Sequence, residues 1–116
     1  MAEIEDILEK VLRATVNGKL QWKATADKDT FIAGLEGKFT LLVQDLGSRS
    51  FEPYYFSMSD SGGNVITEQT VYNPSTPMGS EPLEYDRVKS LYSLARRNTL
   101  DIDRKLSDAA SMLDKL

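Results

Sequence analysis

At 116 residues the chain falls in the size range of one compact domain, long enough to bury roughly two-thirds of the surface its unfolded form exposes. Its 41% hydrophobic and 28% charged content is ordinary for a globular protein, and a net charge of −4 lacks the concentrated basic surface that nucleic-acid binding requires. Cysteine and histidine are both absent, which excludes disulfides, thiolate and imidazole metal sites, thiol nucleophiles and the commonest general base.

The elements follow in chain order. From Glu3, the apolar residues Ile4, Ile7, Leu8, Val11 and Leu12 recur at helical spacing, while Glu5, Asp6, Glu9, Lys10 and Arg13 occupy the other face. This predicts an amphipathic helix that stops at Asn17 and Gly18, where glycine accepts the left-handed cap conformation. The acidic start MAEIEDILEK is unlike a signal peptide, and no apolar run approaches the ~20 residues a membrane span needs, so a cytoplasmic protein is expected.

Beyond Gly18 the period changes to two. Leu20, Trp22 and Ala24 alternate with polar residues, then Phe31, Ala33 and Leu35, then Phe39, Leu41 and Val43. After an LGSRS turn, Pro53 marks the start of a strand through Tyr54, Phe56 and Met58, and DSGGN reads as the hairpin turn into a returning strand from Val65 to Tyr72. Trp22 is expected in the core.

A proline-rich insert over residues 73–82 follows, read as a surface loop that is either a spacer or a flap contacting a partner. Tyr85, Val88, Leu91, Tyr92 and Ala95 then form a second helical stripe. Ile102, Leu106, Ala109, Leu113 and Leu116 form a third, in coiled-coil register for about two heptads. Thr99 or Asp101 is expected to cap the last helix. The sum is one α+β domain over residues 1–116: an N-terminal helix, a four- to five-stranded antiparallel meander and two C-terminal helices.

Little in the chain carries chemistry. Asp60, Asn64 and Glu68 have the wrong spacing for a calcium loop, and the glycines of GSRS and SGGN do not open a helix as phosphate cradles do. Asp45, Glu52, Asp60 and Glu68 are separate carboxylates with no motif joining them. No enzyme, metal or cofactor is expected. Arg96 and Arg97 form the most suggestive charged pair. They suit either an anionic ligand or the dipole at a helix C-terminus.

The segments VLRATVNGKLQWKATADKDTFIAGLEGKFTLLVQ, YYFSMSDSGGNVI and LYSLARRNTLDIDRKLSDAASML resemble a widespread group of small, functionally uncharacterised prokaryotic proteins. The resemblance spans nearly the whole chain and implies the same helix, sheet and helix-pair order. It brings no catalytic motif.

The function expected is a non-catalytic protein–protein interaction module acting through a sheet face or self-association. If Trp22, Phe31, Leu35, Phe39, Leu41, Phe56 and Val71 face the helices, the opposite face presents Ile32, Thr40, Leu42, Tyr55, Ile66 and Tyr72 as partner-binding residues. That face is either a contact surface or covered by one of the helices. A homodimer, combining the closing stripe with sheet residues, is expected, with neither nucleic acid nor membrane as partner. The alternative is a small-ligand protein binding a nucleotide or acidic metabolite through Arg96 and Arg97, with the 73–82 loop as a lid.

Overall fold

The computed structural model describes residues 3–47 and 50–116 and has the α+β order of a helix, a five-stranded antiparallel sheet and two helices. Helix α1 runs Ile4–Val16, with Glu5 and Asp6 in its first turn and Arg13 in its last, as the helix dipole favours. Asn17 closes it and Gly18 follows at φ +70°, a conformation open to glycine without strain. Residues 48 and 49 of the LGSRS turn lie outside the described residues.

Strands β1 (Trp22–Ala24), β2 (Thr30–Leu35), β3 (Phe39–Asp45), β4 (Tyr54–Asp60) and β5 (Val65–Val71) pair antiparallel in sequence order, the arrangement short connections impose. Strand β1 is shorter than its alternation suggests. Leu20 and Trp22 are buried but Ala24 is exposed at the sheet edge. The β4–β5 turn is held by Asp60, whose Oδ1 accepts from the backbone N–H groups of Gly62 and Asn64, both at 2.9 Å. Those bonds hold its carboxyl below the usual range. A register shift between Met58 and Ser59 bulges the sheet just past this turn.

Helix α2 spans Pro82–Leu100 and packs against all five strands and α1. Both helices lie on the same side of the sheet. Leu8 and Val11 of α1 join Tyr85, Val88, Leu91 and Ala95 of α2 in one core with Phe31, Leu41, Val43, Phe56 and Val71. The inward set inferred from alternation is therefore correct in parity. Leu35 and Phe39, at the hairpin end, are less covered: Leu35 is 37% exposed and Phe39 half-buried. The domain has two layers, and among the described residues no helix covers the outer face.

Helix α3 (Ile102–Asp114) departs from the expected packing. Among the secondary-structure elements it touches α2 alone, and none of its residues is buried. Neither expected cap operates, since no side chain caps its first turn. Asp101 instead takes a left-handed conformation, φ 55° and ψ 42°, that ends α2 and redirects the chain, while its carboxylate pairs with Arg104 at 2.9 Å. Thr99 lies inside α2 with its Oγ1 buried and unpaired. The projecting helix explains a radius of gyration of 15.7 Å, against roughly 13 Å for a compact domain of this length.

Candidate interaction surfaces

The register places four of the six sequence-predicted contact residues, Ile32, Thr40, Leu42 and Tyr55, on the outer sheet face, while Ile66 is the residue the β4–β5 register skips and Tyr72 lies past β5. The register sets Lys23, Ile32, Leu42, Ser57 and Glu68 in one row across the five strands. The next row holds Thr30, Gln44, Tyr55 and Thr70. Ile32 and Leu42 are cross-strand partners, both half-buried, and in the neighbouring row the Tyr55 hydroxyl donates to Glu68 Oε2 at 2.5 Å. Thr40 is exposed one row away, opposite Ser59, and Ile66 is exposed beside the bulge. Tyr72, just past β5, stacks edge-on against Phe51 at 6.4 Å. The face is thus open, with an apolar centre of three residues inside a polar rim. It is less apolar than its alternation suggests, because serine, threonine, glutamine and glutamate fill the flanking positions.

A second uncovered apolar surface is on α3. Leu106, Met112 and Leu113 are 60%, 67% and 67% exposed, and Leu116 is 98% exposed. Scattered exposed apolar residues mean little, but Leu106 and Leu113 share one face of α3, and Leu116 continues their spacing just past its end.

Arg96 and Arg97 lie near the C-terminal end of α2. Arg97 pairs with Asp103 across the α2–α3 junction, beside a polar cleft of about 310 Å³ that Thr15, Gln21 and Trp22 also line. Its charge is thereby matched within the chain. Arg96 is exposed, and its charge partly offsets the upward push that burial gives the Tyr92 phenol. The 73–82 loop joins the opposite end of the same helix. Fifteen residues separate Pro82 from Arg97, about 22 Å at 1.5 Å per residue. The geometry does not bring lid and arginines together.

The loop itself is built as structure. Asn73 N–H donates to Phe51 O, Ser80 N–H to Tyr72 O at 3.1 Å, and Tyr72 N–H to Ser80 Oγ at 2.8 Å. Gly79 approaches Pro74 so closely that a β-carbon there would sit 2.6 Å from the proline carbonyl oxygen. Of the two readings of the insert, a loose spacer does not describe it.

The four carboxylates do not gather at one place: Asp45 and Glu52 both lie near Tyr54 and Tyr85, away from the other two. Asp45 pairs with Tyr54 at one end of β4 and Asp60 with Phe39 at the other, while Glu68 is engaged by Tyr55. Among the described residues no group of acidic side chains gathers to hold a metal, and no helix is long and apolar enough to cross a membrane. Comparison with protein-family models, curated proteins and solved structures finds no match.

Proposed function

We propose that this chain is a non-catalytic interaction module of the cytoplasm that works by self-association as a homodimer, with α3 as the principal contact element. The observation that carries this reading is the uncovered stripe of α3. An isolated helix of 13 residues is marginal in water, because few propagating hydrogen bonds offset the cost of nucleation. Its sequence nonetheless places Leu106, Ala109, Leu113 and Leu116 at alternating three- and four-residue steps, which stabilises a helix only when that face is covered. Leucine and methionine left in water forgo about 1.5–3 kcal/mol each relative to burial. The apolar centre of the outer sheet face, Ile32, Leu42 and Tyr55, is a second contact surface, available to a protein partner.

Sedimentation at several micromolar concentrations tests the proposal. The unmutated chain is expected to shift from monomer to dimer mass with concentration, and Leu113→Asp to hold it at monomer mass with an unchanged circular dichroism spectrum. A concentration-independent monomer mass for the unmutated chain contradicts the reading. Leu42→Asp separates the two surfaces, since it should spare an α3 dimer and weaken only an association that uses the sheet.

A further inference from the structure

We infer that α3 of one copy lies in an apolar groove on the helix side of a second copy's sheet, each protomer giving its helix to the other; the inference rests on the self-association reading above. The groove has a volume of about 290 Å³ and runs along α1. Ile7 and Ala14 form its helical wall, and Leu35, Leu41 and Met58 its sheet wall. It exists because the inner sheet face extends past α1 to the hairpin ends. Leu35 has the inward parity of a core residue, yet 37% of it is left exposed. The chain's own α3 does not supply the missing layer, since it contacts α2 alone among the elements.

Stripe and groove match in length. Ile7 and Ala14 are seven positions apart on α1, and Leu106 and Leu113 are seven apart on α3, each spanning two turns or about 10 Å. Ala109 lies between the two leucines, where a small side chain lets the helix approach closely. Charge matches as well. Lys10 is the one charged residue lining the groove, and it forms no ion pair among the described residues. Asp108 and Asp114 flank the stripe on opposite sides, likewise without an ion pair among the described residues. Lys105 lies between the stripe and Asp108, so Lys10 faces an unpaired acid when the Asp114 edge of the stripe is on its side, which sets the direction of the helix in the groove. Reciprocal exchange across a two-fold axis closes the assembly and doubles the contact, which matters because one short helix face is small beside the roughly 800 Å² per partner of a stable interface.

The absence of cysteine permits a clean test. Leu35→Cys and Leu113→Cys are prepared as separate full-length chains, mixed, and treated with a short bis-maleimide. The expected result is a covalent dimer in the mixture and none from either variant alone. A dimer that cross-links through Leu113→Cys alone means that α3 pairs with α3, and overturns the groove assignment. A sedimenting dimer with no mixed cross-link overturns it equally. Leu35→Asp provides a second measure and should weaken association at least tenfold without loss of fold. If Leu113→Asp dissociates the dimer and Leu35→Asp leaves it intact, the groove inference fails while self-association stands. Monomer mass at every concentration removes both.

Discussion

Trp22 shows how a single side chain ties the sheet edge to the first helix. Its indole Nε1–H donates to Thr15 Oγ1 at 3.0 Å, and Thr15 in turn donates to the Val11 carbonyl at 2.8 Å. A buried indole needs such a partner, and the threonine uses one oxygen as both acceptor and donor. Trp22→Ala should cost ~3–5 kcal/mol in urea unfolding by leaving a cavity. Trp22→Phe, which keeps most of the apolar burial and loses the hydrogen bond, should cost about 1 kcal/mol. Native emission from Trp22 should be blue-shifted and move red on unfolding; equal losses for the two variants would mean the hydrogen bond, not the ring, holds the site. Tyr85 and Tyr92 make a separate forecast. Burial pushes both phenols up to about 12, helped at Tyr85 by charge at Tyr54 and Glu52 and at Tyr92 by Asp29 and Asp45. An unfolded tyrosine ionises near 10, so between about pH 10 and 12 the unfolded chain releases protons that the folded chain retains. Their contribution to stability is thus complete below pH ~10 and is lost as pH rises toward 12. The melting temperature should fall across that window, and less steeply in Tyr85→Phe; parallel profiles for the two proteins would count against a buried phenol at this position.

Among the elements, the 73–82 loop shows where composition misleads. Proline, serine and glycine suit a spacer and an ordered loop alike, and what distinguishes them here is the approach of Gly79 to Pro74, a contact that spacing does not encode. Gly79→Ala should cost ~1–3 kcal/mol, because the colliding atoms are backbone and cannot rotate away. Deleting residues 75–80 should also lower the melting temperature, since Ser80 bonds Tyr72 in both directions. Unchanged melting for both variants would restore the spacer reading. The strands were more legible. A period of two placed Phe31, Leu41, Phe56 and Val71 on one face, where sheet geometry leaves no alternative once a side is buried. Ala24 broke the pattern because β1 is a three-residue edge, and alternation says nothing about where a helix layer ends. Leu35 went unrecognised as a groove residue for the same reason. Its inward parity was visible in the sequence, but the width of the helix layer above it was not.

For the whole molecule, the decisive feature is the helix that does not return to the sheet. The spacing of Ile102, Leu106, Ala109, Leu113 and Leu116 suits a core helix and an intermolecular helix equally, because both require one continuous apolar face. What separates them is the backbone at Asp101, whose left-handed conformation turns the chain away from the domain, and no motif in the sequence announces it. The same observation makes the domain separable from its last helix. A chain ending at Asp101 retains every buried residue of α1, α2 and the sheet, and loses only contacts between α3 and α2, including the exposed pair of Arg97 with Asp103. Exposed ion pairs contribute at most about 1 kcal/mol. The truncated protein should therefore unfold cooperatively with near-native tertiary spectra, and Leu106→Asp in the full chain should behave similarly. Concentration distinguishes loss of association from loss of folding. A dimer stabilises its folded protomers by mass action, so the melting temperature of the full chain should rise with protein concentration, while that of the truncated chain should stay constant. At the lowest concentration the two should converge. A truncated chain that remained much less stable there would show that α3 supports its own domain, and a rising melting temperature without α3 would transfer the association to the sheet face around Leu42.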